Sequence, residues 1–214
     1  MDERLKTNLA KWNALVPVHA RSKTYDVAGF KAGRISLHEL ELAEVGDVRG
    51  KSLLHLQCHF GHDTMSWARL GAEVTGLDFS DEAIKLARSL SDELKIPARF
   101  ICADIYDTGA VLGDQFDVVF TSYGAITWLP DMQRWAQIIA QSLKPGGFFY
   151  IADEHPFASI FNHRDDASTL TIQYRYFCED MILSPSGQTM QTRPTRASTT
   201  TPNGFIRSIA SLTH

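Results

Sequence analysis

Cysteine is scarce in this chain: Cys58, Cys102 and Cys178, odd in number and scattered along 214 residues. They make no disulfide framework and suit a reducing compartment, the cytoplasm. Apolar runs long enough to span a bilayer are absent, so no membrane partner is expected. The N-terminus, MDERLKTNLAKWNALVP, is polar and amphipathic, and is read as neither signal peptide nor anchor. Basic excess is also missing: the net charge of −4 leaves no overall footprint for nucleic acid. No internal repeat is found. Glycine is thin where it would be most telling, in HLQCHFGHDT (55–64), which has one glycine but three histidines, a cysteine and an aspartate.

What the chain does have is a 44% hydrophobic content, enough for one globular domain with a real core. Residues 2–14 read as an amphipathic helix with Leu5, Leu9, Trp12 and Leu15 at helical spacing. The Gly-punctuated stretch after it reads as loop with short helix, and SLHELELAEVG as a helix capped by Ser36 and stopped by Gly46. From residue 52 strands alternate with helices. SLLHLQ (52–57), EVTGLD (73–78), ARFICAD (98–104), FDVVFTSY (116–123) and FFYIAD (148–153) read as strands. HDTMSWARLG (62–71), SDEAIKLARSLSDELK (80–95) and DMQRWAQIIAQSL (131–143) read as helices, the second capped by Ser80, the third stopped by KPGG. This alternation predicts an α/β, doubly wound, mostly parallel sheet with helices on both faces.

Ligands of such sheets bind outside the carboxyl ends of the strands. That selects 57–63, 78–81, 102–107 and 121–129, with 152–157 farther along the same edge. The first of these, QCHFGHD, reads for composition as a metal site and for position as a strand-to-helix turn against a ligand. Cys58, His59 and His62 have no second ligand pair downstream at a usual zinc spacing, so no metal is assigned. Asp78 could accept two hydrogen bonds from a ribose diol, or merely cap the next helix, a role Ser80 already fills. Asp104 could accept from an exocyclic amine while Ile105 covers a base, or it could be a solvated turn acid.

LLHLQCHFG, VTGLDFS, ADIYD, FDVVFTSYGAITWLPD and LKPGGFFYIAD occur in the order and spacing of the class I methyltransferases that use S-adenosylmethionine. The resemblance covers roughly residues 50–155. It is close to a bacterial branch with a LLHLQCHFG-type first motif, and there it extends into WNALVPVHARSKTYDVAGFK. It implies the Rossmann-like methyltransferase fold, S-adenosyl-L-methionine as cofactor, and a cofactor site made of Tyr25, Gln57, Cys58, His59, Gly61, Asp78, Phe79, Asp104, Ile105 and Ser122. Asp78 would hold the ribose, Asp104 and Ile105 the adenine, and Tyr25 would close over the methionine end. The chain departs from the family pattern of an acid followed by Gly-x-Gly-x-Gly. His55 stands at the acid position, and Gln57 and His59 stand at two glycine positions.

Methyl transfer from a sulfonium is an in-line displacement that needs alignment and exclusion of water, with a general base only for a protonated acceptor. Tyr123 and His155 are the candidate catalytic residues. Tyr123 and Trp128 could wall a methyl pocket, or Trp128 could be core. DEHP (153–156) could do acid–base work, with His155 as base, or be a polar turn. His19, His38, His163 and His214 show no partner pattern and read as solvated.

The expected layout is an N-terminal helical cap (1–49), a cofactor-binding core (50–155), a substrate-side extension (156–182) that carries a strand or hairpin arm over 167–180, and an irregular tail (183–214). With no C-terminal hairpin legible, the edge beside the fifth strand should lie uncovered, open to homodimer formation. The leading reading is a methyltransferase acting on a small molecule. A nicotinamide-dependent oxidoreductase, for which Asp78 would also suit, and a truncated cofactor-binding protein without catalysis are the alternatives.

Overall fold

A computed structural model describes residues 3–155, the strand 205–211, and Phe157, Ile160, Phe161, Thr169, Thr171, Ile172 and Tyr176. The helices are α1 (Glu3–Ala20), α2 (Val27–Lys31), α3 (Glu39–Val45), α4 (His62–Arg69), α5 (Asp81–Leu94), α6 (Thr108–Val111) and α7 (Met132–Ser142). The strands are β1 (Ser52–Leu56), β2 (Glu73–Asp78), β3 (Arg99–Cys102), β4 (Phe116–Ser122), β5 (Leu143–Glu154) and β6 (Phe205–Ser211). They form one sheet in the order β3-β2-β1-β4-β5-β6. The first five are parallel, and β6 runs antiparallel to β5.

Period-two alternation on the central strands explains why both faces are covered. Leu53, Val118, Phe120 and Tyr150 turn to one face and meet Trp67 of α4. Their neighbours Leu54, Val119 and Phe149 turn to the other and meet Trp135 and Ile139 of α7. A third cluster joins α1 and α2 to α5 through Val16, Phe30, Ile84, Ala87 and Phe100. The doubly wound α/β expectation is therefore met. Among the described residues no helix is long and apolar enough to cross a membrane.

Four local expectations are corrected. Helix α1 does not end at residue 14 but continues through Pro17 to Ala20. A proline inside a helix removes one donor, yet here the helix goes on past it. Helix α3 starts after His38, whose backbone N–H donates to Glu41, so Ser36 is not its cap. KPGG ends α7 but does not delay the next strand. Leu143 already pairs with Phe116, and the register shifts before Phe148 pairs with Val118, with Gly146 at φ 81°. The fourth concerns the sheet edge. Glu154 to Phe148 pair with Phe205 to Ser211, so the edge of β5 is covered and the expected homodimer through it loses its basis. The strand or hairpin arm expected over 167–180 falls largely outside the described residues, where Ile172 makes one antiparallel bridge to Phe161. Residues 183–204, within the tail expected to be irregular, also lie outside them.

A hollow of 530 Å³ opens at the amino ends of the strands, lined by Ser52, Glu73, Arg99, Phe116 and Lys144 among others. There Asp117 accepts from the Ser52 backbone and hydroxyl and from Lys144 Nζ at 2.7–2.9 Å, which ties β1, β4 and β5 together. Ligands of doubly wound sheets bind at the opposite edge.

Candidate functional site

The loop after β1 is built on three left-handed residues in alternation: Gln57 (φ 58°), His59 (φ 50°) and Gly61 (φ 76°). Side chains disfavour this region, so the first two sit where glycine is the natural residue. Gly61 is required. A Cβ there would lie 2.5 Å from the Phe100 ring, and Gly61 N–H donates to Cys58 O. Cys58 is buried, its N–H bound to Leu77 O, and burial raises its thiol pKa well above the usual value. It is a packing residue rather than a reactive one.

Asp78 ends β2 beneath this loop. Its Oδ2 accepts from His59 N–H at 2.8 Å and its Oδ1 from Ser80 N–H at 2.9 Å. Burial raises its pKa to about 6, while those backbone donors pull the other way. Each carboxylate oxygen keeps a second lone pair, so the group can still accept from a ligand. Ser80 caps α5 by accepting from Ala83 N–H, which leaves Asp78 free of that duty. The Phe79 carbonyl accepts from the Cys102 thiol. At the end of β3, Asp104 caps a short 3₁₀ turn through Tyr106 N–H, and Ile105 is buried beside it.

Above the loop the N-terminal segment supplies an aromatic roof, in which Tyr25 was expected and Trp12 and His19 were not. Tyr25 stacks on His19 with ring centroids 4.9 Å apart and meets His59 edge-on at 5.4 Å. Trp12 meets both His59 and Trp128 edge-on, at 5.4 and 5.5 Å. Asn13 accepts from Ser80 Oγ and donates to Asp81, which fixes α1 across the start of α5. His19, expected to be solvated, is buried; the longer α1 brings it here. His38 is exposed as expected, but its ring is edge-on to Tyr123. His163 and His214 lie outside the described residues. Trp128 is half-buried and carries Lys11 over its ring, so it belongs to the roof rather than the core.

At the end of β4, Ser122 Oγ donates to Asp63 Oδ2 at 3.0 Å. Tyr123 N–H pairs with Ala152 O, and its hydroxyl hydrogen-bonds Glu41, a carboxylate with no exposed surface. Burial raises the Glu41 pKa to about 7, helped by Asp63. Burial also raises the Tyr123 phenol far above its usual value, with the Glu41 charge next. Glu41 and Asp63 were not foreseen, since each reads as an ordinary acid in the first turn of a helix. His155 follows β5, and its Nδ1 accepts from Phe157 N–H at 3.1 Å. A neutral imidazole has one acceptor, so in this arrangement His155 can donate from Nε2 but has no lone pair free for a proton. Among the described residues no group of three or more His, Cys, Asp or Glu is arranged to hold a metal.

The structure thus brings Tyr25, Gln57, His59, Gly61 and Asp78 together at one turn. It sets Ser122 and Tyr123 beside that turn, on the strand next to β1, and Asp104 and Ile105 beyond Asp78 on β3. His155 stands farthest along the edge. These residues suit a nucleoside cofactor: a left-handed turn, a buried carboxylate at the end of the second strand and an apolar wall at Ile105. Gln57 Oε1 is moreover buried without a hydrogen-bond partner among the described residues.

The fold is of the doubly wound class, and its site has the features a nucleoside cofactor would require. Residues 54–151 match the family model described as "Methyltransferase domain". The chain is 35% identical over 103 residues to a ubiquinone biosynthesis O-methyltransferase of Proteus mirabilis, covering 48% of this chain and 42% of that protein. Its Photorhabdus laumondii counterpart is 30% identical over 131 residues, 61% of this chain and 51% of that one. The chain therefore spans about half the length of the curated relatives it matches. A crystal structure of an S-adenosylmethionine dependent methyltransferase from Mesorhizobium loti superposes with a TM-score of 0.54 at 26% identity, covering 68% of this chain and 67% of that one. The α/β core of this chain is thus similar to methyltransferase domains over residues 54–151, and it shares its fold with an S-adenosylmethionine dependent methyltransferase.

Proposed function

We propose that this protein binds S-adenosylmethionine and transfers its methyl group to a small-molecule acceptor. It would be a cytoplasmic enzyme of the branch whose first motif carries Gln and His at two glycine positions. The observation that carries this reading is Asp78, a buried carboxylate at the end of β2 that holds the left-handed His59 N–H at 2.8 Å. It joins the loop after β1 to the position where a ribose diol would be accepted.

The cofactor, when bound, supplies a methyl group already activated by a positive sulfur. The residues of this chain bind, orient and exclude water. Asp78 would accept from the ribose hydroxyls, with Phe79 beside it. Ile105 would cover one face of the adenine and Asp104 accept from its amine. Gln57, Cys58, His59 and Gly61 would present loop backbone to the methionine end, with Ser122 opposite and Tyr25 above. The roof of Trp12, His19 and Tyr25 would keep water out.

On the acceptor side, Tyr123 would orient an acceptor hydroxyl, with Glu41 behind it as a proton store. His155 would donate from Nε2 to the acceptor. Service as a base would require it to release Phe157 N–H first. The acidic balance and scattered cysteines support a small acceptor in a reducing compartment.

Calorimetry tests the reading. S-adenosylhomocysteine should bind, NAD should not, and Asp78→Ala should abolish binding. Binding of NAD with none of the homocysteine compound would overturn it.

A further inference from the structure

The end of β1 carries a histidine, His55, and no acid. His55 is buried, and burial lowers its pKa to about 4 against the opposing pull of Asp63. The ring is therefore neutral at ordinary pH. Its Nδ1 is 2.9 Å from Thr64 Oγ1, and its Nε2 lies at a long 3.5 Å from Ser122 Oγ. A cofactor with an amino-acid end would bring an ammonium to this loop, and a carboxylate is the stronger hydrogen-bond partner for it.

Asp63 stands one step into α4 and faces the same place. Its two oxygens are held from different parts of the chain. Ser36 Oγ, from the segment before α3, donates to Oδ1 at 2.6 Å, and Ser122 Oγ, from the end of β4, donates to Oδ2 at 3.0 Å. Ser36 is fixed in turn by Ser66, through its own N–H at 3.0 Å and its hydroxyl at 2.9 Å. Both donors to Asp63 are neutral, and among the described residues Asp63 forms no ion pair with a Lys or Arg. A half-buried carboxylate is thus held in a fixed plane with its charge unbalanced, a state that favours a cationic ligand.

The surroundings are those of the methionine end. The Asp63 charge bears on Tyr25, His55, Cys58, Glu41 and Tyr123, which are the roof, the end of β1, its loop and the acceptor side. Gln57 converges on the same strand end. Its Nε2 donates to Ala125 O at 3.0 Å, which leaves the buried Oε1 as a second acceptor.

We propose that Asp63 supplies the carboxylate that binds the ammonium of the cofactor's methionine end, in place of the acid that is missing from the end of β1. This rests on the cofactor reading above. It makes Asp63 a ligand-binding residue rather than a helix-terminal acid, and it explains how His55 can occupy the acid position.

The test pairs two ligands with two proteins. Asp63→Asn keeps the side-chain shape and removes the charge. Methylthioadenosine carries the nucleoside without the amino-acid end, and deaminated S-adenosylhomocysteine lacks only the ammonium. In calorimetry Asp63→Asn should weaken S-adenosylhomocysteine at least tenfold and leave methylthioadenosine within about twofold. The native protein should prefer S-adenosylhomocysteine to its deaminated form by a similar factor, and the variant should show no such preference. An unchanged preference in the variant overturns the proposal. If the variant fails to fold, the native protein alone decides, since equal binding of the two homocysteine ligands would overturn it. A native protein that binds neither nucleoside would defeat the cofactor reading itself and this assignment with it. Binding of methylthioadenosine with no gain from the amino-acid end would defeat this assignment alone.

Discussion

His19 Nδ1 and His59 Nε2 lie 3.1 Å apart, one ring from α1 and the other from the loop after β1. Between them the two facing nitrogens can share only one proton, so one must donate and the other accept. Burial lowers both pKa values, that of His59 to about 3, with the His19 charge as the next cause. The contact ties the N-terminal helix to the loop as long as at least one of the two rings is neutral and can accept.

That arrangement sets a pH dependence of stability. The folded pKa of His59 is depressed, so its contribution is whole above the unfolded value of about 6.5 and is lost as pH falls toward 3. Between pH 7.5 and 5 this group should cost about 2 kcal/mol of stability at most. His59→Asn tolerates the left-handed backbone and does not titrate. Urea titrations at the two pH values should show the acid loss reduced in the variant by about that amount.

Glu41 acts with the opposite sign. Its folded pKa of about 7 exceeds the unfolded 4.5, so its burial costs stability as pH rises between those values. Glu41→Gln retains a side-chain acceptor for His38 N–H and carries no charge. From pH 5 to pH 8 the native protein should lose about 2–3 kcal/mol relative to the variant, measured by thermal or urea unfolding.

Cofactor binding should titrate through Asp78. The ribose hydroxyls need the ionised carboxylate, which dominates above its pKa of about 6. Affinity for S-adenosylhomocysteine should fall about tenfold from pH 7 to pH 5. Asp78→Asn should bind weakly and without that slope, as calorimetry at several pH values would reveal.

Gly61→Ala should be the most damaging single-methyl change in the loop. The left-handed backbone costs about 1–2 kcal/mol for a side chain, and overlap with the Phe100 ring adds about 1–3. Circular dichroism melting should show a drop of many degrees, with cofactor binding lost in parallel.

The parallel sheet was legible because apolar runs and helix stops recur at short range. Ser80 was readable as the cap of α5, and its side chain does accept from Ala83 N–H. The reading failed where distant partners decide. The helix was expected to stop at residue 14, yet α1 continues through Pro17 and places His19 on the loop. FIRSIAS offered seven residues behind a Thr- and Ser-rich stretch, and nothing local names β5 as its partner. The departures at Gln57 and His59 were visible as residue types. Their left-handed backbone, and the compensating position of Asp63 across from Ser122, depend on three dimensions.

Gln57 and His59 also shape the chain before it folds. Glycine at either position would wander more widely in the unfolded ensemble, a penalty of about 0.5–1 kcal/mol each on folding. The residues present forgo that freedom and accept instead a left-handed backbone that costs about 1–2 kcal/mol each. The gain offsets about half of the cost, so the substitution carries a net penalty of about 0.5–1 kcal/mol at each position. It leaves a turn with fewer conformations to surrender when a ligand arrives. The cofactor loop of this protein is thus organised in advance by bulk rather than kept pliable by glycine.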